Sequence, residues 1–378
     1  MLLSEIHQQI QTMARQFACE VVRPVAGELD RHARFPREIY DEMGKLGLFG
    51  ITVPENCGGP GFDTLAFVLV MEELSRGYAS VADQCGLIEL VSTLLVKHGT
   101  PEQQKKFLGP AIAAKTLVSY CLTEPEAGTD LAGIRTTAQR NGRGWTLNGS
   151  KIWIHNAPVA DLGFVLARTK PDAGHRGMSV FVVDLHANGV ERGPAENKMG
   201  QCASKVGALS FSDVRLGPEA LIGEEGRGFH MVMSVLDKGR VGIAALAVGI
   251  AQAGLEAALE YARDRRQFGS AIADFQGIQW KLADMAKDIA AARLLVHDAA
   301  IKLDRGQRAV MACSMAKCFA GDVAVARTSD ALQIFGGSGY IRGFEVERLY
   351  RDARITQIYE GTNEIQRSII ARELMTQG

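Results

Sequence analysis

YCLTEPEAGTD, residues 120–130, is the stretch at which the hydrophobic period of the chain changes from helical to extended. Before it, over residues 1–117, apolar side chains recur every three to four positions, which predicts α-helices. After it, over residues 118–222, they alternate with polar ones between Asn-Gly turns, which predicts a meander or small barrel. The helical period returns over residues 223–378. The sequence therefore predicts an α+β multidomain fold with an N-terminal α-helical domain, a central β-barrel-like domain and a C-terminal helical bundle.

The C-terminal part contains three segments that are each long enough to form one side of a bundle. They are Met231 to Asp264, Phe275 to Leu303 and Ala309 to Ile334. Alanine is frequent in the first of them, which permits close contact between helices.

The 378 residues include 42 Lys or Arg and 43 Asp or Glu, a balance that argues against a nucleic-acid partner. Seven cysteines are spread along the chain without a CxxC pair, as is typical of a reducing compartment. The histidines form no HExxH motif and there is no calcium-type acidic loop, so no metal site is predicted.

The apolar stretches are shorter than the roughly 20 residues of a membrane helix, so no membrane association is expected. At the N-terminus, Ile6, Ile10, Met13 and Phe17 recur on one face of a predicted amphipathic helix, a pattern unlike a signal peptide. These features predict a bacterial cytoplasmic protein, with a processed protein of the mitochondrial matrix as the alternative.

The common nucleotide-fold signatures are absent, since the sequence has no GxGxxG, GxxxxGK[ST] or GxSxG motif in the required context. A nucleotide cofactor would therefore bind outside a Rossmann unit. FGGSGY, residues 335–340, fits either a backbone cradle for phosphate or a turn that ends a helix. Residues 120–130 fit either an inter-domain loop or a loop whose polar groups meet a partly polar aromatic ring system.

Glu360 follows an Ile-Tyr pair and precedes Gly-Thr, so it stands at a turn among apolar neighbours. Desolvation there would raise the pKa of the carboxyl group, which suits a base for weakly acidic C–H bonds. The alternative is a carboxylate that helps to cap the last helix, which begins near Thr362.

At residues 120–130 and again at residues 333–366, the chain closely resembles the acyl-CoA dehydrogenase family. Between these two signatures, residues 148–154 (NGSKIWI), 236–240 (LDKGR) and 265–269 (RRQFG) follow in the family's order and spacing. The resemblance covers essentially the whole chain. It implies a helical N-terminal domain, a central β-domain and a C-terminal four-helix bundle, assembled as a homotetramer or homodimer.

The resemblance also implies FAD, held non-covalently between domains and across a subunit interface. The flavin is expected to lie against Tyr120, Leu122, Thr123, Gly128, Thr129, Trp153 and His155. A neighbouring subunit is expected to reach the rest of the cofactor with Arg265, Gln267, Phe268, Gln333, Gly336 and Gly337. Further expected cofactor positions are Gln276, Thr362 and Glu364.

By the same resemblance, Glu360 is the base that takes the α-proton of an acyl-CoA while hydride leaves the β-carbon for the flavin. The backbone N–H of Glu360 and a flavin hydroxyl would donate to the thioester oxygen, which polarises the carbonyl as the proton leaves. The residues expected at the substrate are Thr129, Asp237, Arg240, Tyr359 and Gly361.

One subgroup of the family carries its base in a Leu-Asp-x-Glu-Arg turn, where this chain has Gly239. The base is therefore assigned to Glu360. Residues 236–252 are most similar to the short-chain and short-branched-chain members.

Two features depart from the family pattern. His155 stands where relatives commonly have a Thr or Ser hydroxyl near flavin N5. Asp83, Gln84 and Glu89 interrupt the apolar helix expected at the bottom of the acyl pocket. We expect Glu89 to face solvent or another subunit, whereas an inward Asp83 or Gln84 would favour a short or polar acyl chain.

The sequence thus predicts FAD-dependent α,β-dehydrogenation of an acyl-CoA to the trans-2-enoyl-CoA, in fatty acid β-oxidation or amino acid catabolism. The acyl group is expected to be short or branched, and electron-transfer flavoprotein is the expected electron acceptor. Alternatives are a dehydrogenase of a carrier-protein-bound, polar or aromatic acyl thioester in specialised metabolism, and a non-catalytic scaffold that binds flavin or CoA.

Overall fold

The computed structural model describes residues 3–376. Its N-terminal part is helical, as predicted, and consists of α1 (Glu5–Phe17), α2 (Arg23–Arg31), α3 (Arg37–Lys45), α4 (Thr64–Gly77), α5 (Ala79–His98), α6 (Pro101–Gln103) and α7 (Gly109–Ile112). Two π-helical segments, Ala18–Val22 and Gln104–Leu108, continue α1 into α2 and α6 into α7.

Side-chain caps explain where these helices begin. The Ser4 hydroxyl accepts a hydrogen bond from the His7 N–H at α1, and the Asp63 carboxylate accepts one from the Ala66 N–H at α4. Thr100 and Gln103 form a reciprocal capping box at α6. The amphipathic face predicted for α1 is confirmed at Ile10 and Phe17, which are buried, whereas Ile6 is exposed.

The central part contains β1 (Val118–Cys121), β2 (Thr137–Asn141), β3 (Gly144–His155), β4 (Leu162–Arg168), β5 (Met178–Asp184), β6 (Val190–Arg192), β7 (Val206–Leu216) and β8 (Leu221–Ile222). They form one sheet in the order β6-β7-β3-β2-β4-β5-β8, with β1 beside β4. A simple meander is wrong, because β1 and β2 both run parallel to β4 and β3 pairs with β7.

The C-terminal part contains α8 (Gly228–Asp264), a short hairpin of β9 (Arg266–Gln267) and β10 (Ser270–Ala271), α9 (Gln276–Asp304), α10 (Val310–Phe335), α11 (Glu345–Arg354) and α12 (Asn363–Thr376). The three long helices predicted here are confirmed. Helix α8 packs against α9 and α10 and also against α4 and α5, so it joins the two helical parts.

Two helices, α5 and α8, are long and apolar enough to meet a length-and-composition test for a membrane span, contrary to the expectation from the sequence. In each, 83% of the apolar window is buried inside the protein, as is usual for core helices.

The domain limits proposed from the sequence, 1–117, 118–222 and 223–378, stay a prediction. The first limit falls just before β1 and the second just after β8.

Candidate active site

Glu360 lies in a turn between α11 and α12 that is held from two helices. The backbone is left-handed at both Glu360 (φ +54°) and Gly361 (φ +88°), a conformation that a residue with a side chain rarely adopts. Lys317 Nζ on α10 donates to the Gly361 carbonyl at 2.8 Å. Gln366 Nε2 on α12 donates to the Glu360 and Gly361 carbonyls at 3.2 and 3.0 Å. These bonds fix the direction in which the Glu360 side chain leaves the turn.

The Glu360 side chain is only partly exposed. Its Oε2 is buried without a hydrogen bond to any residue within 3–376. Burial raises the pKa of this group to about 7, although the charges of Arg240 and Lys317 act in the opposite direction. The carboxylate is therefore poised to exchange a proton near neutral pH.

The cap of α12 comes from Thr362, whose hydroxyl accepts a hydrogen bond from the Ile365 N–H at 3.4 Å. The alternative interpretation of Glu360 as a helix cap is therefore wrong. The Glu360 N–H has no protein acceptor in the described chain, so it is available to a bound group.

Gly239 on α8 faces the Glu360 carboxyl group directly. A Cβ atom built at Gly239 would lie 2.6 Å from Glu360 Oε2 and 3.2 Å from Glu360 Cδ. The absence of a side chain on α8 thus leaves the space that the carboxyl group occupies.

Asp237 and Arg240 form an ion pair at 2.7 Å on the same part of α8. Arg240 is 8% exposed, its Nε is buried without a protein partner within residues 3–376, and its charge lowers the pKa of Glu360. The structure therefore brings Arg240, Gly361 and Glu360 together. Tyr359 is next to them and its hydroxyl accepts a hydrogen bond from Gln201 Nε2 at 3.4 Å.

Residues 120–130 are anchored by a buried ion pair. Lys151 is fully buried, and its Nζ donates to the Leu122 carbonyl and to Glu124 Oε1, both at 2.8 Å. The Glu124 carboxylate also accepts hydrogen bonds from the Arg135 and Thr136 N–H groups at 2.5 and 3.0 Å. The loop is consequently a rigid part of the sheet domain.

The same loop lies beside the end of β3. The Ile152 N–H donates to the Thr123 carbonyl at 3.0 Å, which brings Leu122 and Thr123 next to Trp153. The Tyr120 hydroxyl is buried without a partner within residues 3–376. Burial raises the pKa of Tyr120 well above its ordinary value, and the nearby charge of Glu360 adds to this effect. Gly128 and Thr129, farther along the loop, are exposed.

Trp153 lies at an irregularity of β3, where the pairing with β7 shifts between Lys151 and Ile154. Its backbone is left-handed (φ +59°) and its side chain is 60% exposed. These features suit the binding of a partly polar aromatic ring system such as the flavin of FAD. The exposed Trp153 indole offers a flat apolar surface, and the buried Tyr120 hydroxyl and the accessible loop backbone offer polar groups.

His155 belongs to a polar cluster with Asp83, Gln84, Asn156 and Ser204. The His155 Nε2 lies 2.8 Å from both Gln84 Nε2 and Ser204 Oγ, and its Nδ1 lies 3.4 Å from Asp83 Oδ2. Asn156 Nδ2 donates to Gln84 Oε1 at 2.7 Å, which turns the Gln84 amide nitrogen towards His155. His155 Nε2 is therefore an acceptor and the proton is on Nδ1. Burial lowers the pKa of His155, so the ring is neutral at pH 7.

Glu89 does not face solvent, so that expectation is wrong. It is 1% exposed, and its carboxylate accepts hydrogen bonds from the Thr52 N–H and hydroxyl. The Lys238 ammonium lies 3.4 Å away, and together these partners offset the cost of burying the charge.

A second group of predicted cofactor residues lies elsewhere in the molecule. Arg265, Gln267 and Phe268 form an exposed loop, in which Phe268 is 97% exposed. Gln333, Gly336 and Gly337 are exposed at the C-terminal end of α10, and Gln276 and Glu364 are exposed as well. Lys317 and Gln333 are sixteen residues apart on α10, or about 24 Å. A single chain therefore does not bring Gln333 and its neighbours Gly336 and Gly337 to Glu360, whereas Glu364 is only four residues from it. Gly336 ends α10 with φ +59° and ψ −137°, a backbone conformation that favours glycine.

The sequence interpretation missed Lys317, Gln366, Gln201 and Ser204. Lys317 had a visible signal, since it is the single charged residue in the apolar stretch SMAKCFA at residues 314–320. The other three are ordinary polar residues whose importance depends on contacts distant in sequence. Within residues 3–376, no three His, Cys, Asp or Glu side chains are grouped as a metal site.

Comparison with known proteins gives matches along most of the chain. Family models described as acyl-CoA dehydrogenase N-terminal, middle and C-terminal domains match residues 4–115, 119–214 and 226–375. A protein of Clostridium sporogenes named 3-(aryl)acrylate reductase is 42% identical over 377 residues, covering 99% of this chain and 100% of that protein. The caffeyl-CoA reductase-Etf complex subunit CarC of Acetobacterium woodii is 41% identical over 378 residues, covering 99% and 100%.

Solved structures are similar over the whole chain. Butyryl-CoA dehydrogenase from Megasphaera elsdenii superposes with a TM-score of 0.96 at 40% identity, covering 99% of each chain. A structure described as the FAD complex of PigA superposes with a TM-score of 0.96 at 30% identity, covering 100% of each chain.

Proposed function

The chain belongs to the acyl-CoA dehydrogenase family, and from this premise we propose that it oxidises a short- or branched-chain acyl-CoA to the trans-2-enoyl-CoA. It is an FAD-dependent oxidoreductase that acts on acyl-CoA thioesters. The proposal adds the length of the acyl chain, the residues that bind and react with the substrate, and electron-transfer flavoprotein as the electron acceptor. The observation that carries it is Glu360, whose buried Oε2 and backbone N–H have no hydrogen-bond partner within residues 3–376.

Removal of the α-proton needs a base and a polarised carbonyl at the same time, because a C–H bond beside a thioester is only weakly acidic. Bound FAD supplies the acceptor for the hydride from the β-carbon. In our proposal the ionised Glu360 takes the proton, and its own N–H donates to the thioester oxygen. Lys317 and Gln366 hold the turn so that one residue performs both tasks.

The residues proposed to hold FAD divide into two groups. Tyr120, Leu122, Thr123, Trp153 and His155 offer a surface for the flavin ring, with Gly128 and Thr129 beside it. The exposed residues Arg265, Gln267, Phe268, Gln276, Gln333, Gly336 and Gly337 would serve the cofactor of a neighbouring subunit. Thr362 and Glu364 complete the set.

Short acyl groups and electron-transfer flavoprotein are supported by the names of relatives. A butyryl-CoA dehydrogenase is similar over the whole chain, and the name of the A. woodii protein includes an Etf complex. A homotetramer or homodimer is supported by the separation of the two groups of cofactor residues. A bacterial cytoplasmic location stays a prediction.

The test is an anaerobic titration of the purified yellow protein with acyl-CoAs from propionyl to palmitoyl, including branched ones. We expect short or branched acyl-CoAs to bleach the flavin band. The variant Glu360→Gln should still bind FAD and acyl-CoA, but its turnover should fall by about 10² to 10⁴. Glu224→Gln, which alters an exposed carboxylate ahead of α8, is the matched control and should keep full turnover. Full turnover in Glu360→Gln would refute the assignment of the base.

A second candidate function uses the same site on a polar or aromatic acyl thioester, bound to CoA or to a carrier protein. The polar cluster of Asp83, His155 and Ser204 favours it, as do the names of the C. sporogenes and A. woodii relatives. To separate the two functions, aromatic acyl-CoAs and carrier-bound acyl groups are added to the titration. The thioester that bleaches the flavin band then identifies the function.

A further inference from the structure

One face of helix α5 is slightly exposed to solvent, whereas the rest of the helix is almost completely buried. Leu87, Leu90 and Thr93 are 7%, 5% and 6% exposed, and Asp83 and Gly86 are partly exposed. The remaining residues of α5 from Ala79 to Leu95 are at most 1% exposed. These five positions follow the spacing i, i+3, i+4, i+7 and i+10, so they share one face of α5.

One point along this face lies at the proposed base. Leu90 Cδ1 would be 3.4 Å from a Cβ atom at Gly239, which in turn would be 3.2 Å from Glu360 Cδ. Leu90 therefore flanks the Glu360 carboxyl group. Asp83 lies seven residues earlier on the same face, two helical turns or about 10 Å away.

Asp83, at the N-terminal end of this face, has a carboxylate of which only one oxygen is paired within residues 3–376. Its Oδ2 accepts a hydrogen bond from the Ser204 hydroxyl at 2.9 Å and faces His155 Nδ1 at 3.4 Å. No donor within residues 3–376 pairs with its Oδ1, and the side chain is only 14% exposed. His155 Nδ1–H and Ser204 fix the carboxylate plane, because His155 is itself held by Gln84.

The negative charge of Asp83 affects the pKa values of groups around the proposed base. It raises the pKa of both Tyr359 and Glu360, in addition to the larger effect of burial. The electrostatic interaction between Asp83 and Glu360 is therefore only weakly screened by solvent.

We propose that the acyl group accepted by this site carries a hydrogen-bond donor several bonds beyond its β-carbon, and that Asp83 Oδ1 accepts this hydrogen bond. The inference rests on the proposed dehydrogenase function and decides between its two candidate substrate classes, in favour of a polar acyl thioester that carries a hydroxyl group. A purely alkyl chain would bury the free oxygen of Asp83 without a partner, whereas a hydroxyl group would satisfy it. A site built around such an oxygen discriminates strongly against the analogue that lacks the donor.

The experiment compares two matched pairs of substrates that differ in one hydroxyl group. The aliphatic pair is hexanoyl-CoA and 6-hydroxyhexanoyl-CoA, and the aromatic pair is 3-phenylpropanoyl-CoA and 3-(4-hydroxyphenyl)propanoyl-CoA. The measured quantity is kcat/KM of the FAD-loaded protein with an artificial electron acceptor. We expect the hydroxylated member of at least one pair to be preferred about tenfold or more. The pair that shows the preference tells whether the donor is an aliphatic hydroxyl or a phenol.

Two variants assign the preference to Asp83. Asp83→Asn keeps the size of the side chain and removes its charge, and Asp83→Ala removes the acceptor altogether, so both should lose most of the preference. Glu89→Gln is the matched control, because Glu89 is a buried acid of the same helix whose carboxylate is already paired with Thr52 and Lys238, and its variant should keep the preference. Dissociation constants measured in the Glu360→Gln background should show the same order without turnover.

The possible failures are distinguishable. Equal kcat/KM values within both pairs, or a preference that survives in both Asp83 variants, would overturn this inference while leaving the dehydrogenase function intact. If no acyl-CoA in either pair or in the broader titration bleaches the flavin, the proposed function fails and this inference fails with it.

Discussion

Glu360 is positioned by residues that lie on other helices. Lys317 is fully buried and its Nζ donates to the Gly361 carbonyl and to Asn363 Oδ1, at 2.8 and 3.1 Å. Its positive charge also lowers the pKa of Glu360. Lys317 is thus a positioning residue that acts on both the geometry and the ionisation of the proposed base.

The variant Lys317→Met tests this role through a pH profile. In the wild type, kcat/KM should rise as pH increases through about 7, because burial raises the pKa of Glu360 to about 7 and only the ionised form can take a proton. Removing the Lys317 charge should raise the pKa of Glu360 further and move this rise to higher pH. At neutral pH we expect the variant to be at least about tenfold slower, since the turn also loses its anchor.

Lys302→Met is the control for the charge, because Lys302 is a partly exposed lysine of α9 whose partner is Asp298. It should leave the profile unchanged. If Lys317→Met lowers the thermal stability but does not shift the pH profile, the role of Lys317 is purely structural.

At the level of the elements, the contact between α4 and α8 depends on the absence of a side chain. Gly249 on α8 lies so close to α4 that an added Cβ atom would overlap the Ser75 hydroxyl and the Glu72 carbonyl oxygen. Ser75 Oγ donates across this contact to the Leu246 carbonyl at 2.8 Å. The two helices therefore meet backbone to backbone.

We expect Gly249→Ala to lower the free energy of unfolding by about 1 to 3 kcal/mol, because the backbone of α4 must move aside. Gly277→Ala on α9 is the matched control, since a Cβ atom there meets nothing within 4 Å. It should be neutral or slightly stabilising, because alanine favours the helix. Thermal and urea unfolding of both variants measure the difference, and equal midpoints for the two would contradict the close contact.

At the level of the whole molecule, Arg351 on α11 joins all three parts of the chain. Its guanidinium donates to Asp30 Oδ2 of α2 at 2.6 Å, to the Met199 carbonyl at 3.0 Å and to Glu347 at 2.7 Å. Burial alone would raise the pKa of Asp30, but the hydrogen bonds and charge of Arg351 lower it below its ordinary value. Arg351 and Asp30 are 16% and 11% exposed, so the pair is poorly screened.

Arg351→Met should lower the free energy of unfolding at pH 7 by about 3 kcal/mol, because it leaves Asp30 buried without its partner. Since the pKa of Asp30 is lowered in the folded protein, the pair stabilises the fold above about pH 4 and this contribution is lost as the pH falls further. Urea unfolding at pH 7 and in acid should show the gap between variant and wild type closing in acid. Arg305→Met, at an exposed arginine, is the control, and a gap that persists in acid would exclude Asp30 as the cause.

The order of helical, extended and helical regions could be predicted from the sequence, because the periods of 3.6 and 2 are local properties of the chain. The long helices α8, α9 and α10 were found for this reason. The pairing of β1 and β2 with β4 could not be found, since parallel pairing joins residues that are distant in sequence.

Burial in the core was also misjudged from the sequence. Glu89 was expected at the surface because an isolated carboxylate is costly to bury, and only the fold supplies Thr52 and Lys238 as partners. The role of Lys317 could not be predicted for the same reason, because its hydrogen-bond acceptors lie 44 and 46 positions away in the sequence.

The sequence by itself determined the family, the cofactor and the choice of Glu360, because these depend on residue types in a fixed order. The tertiary structure decided that the Glu360 N–H has no acceptor within residues 3–376, that the pKa of Glu360 is near neutrality, that Gly239 leaves room for its carboxyl group, and that Asp83 shares one face of α5 with Leu90. Desolvation, charge and hydrogen bonding act between side chains that only the fold brings together, so no local pattern in the sequence can contain them.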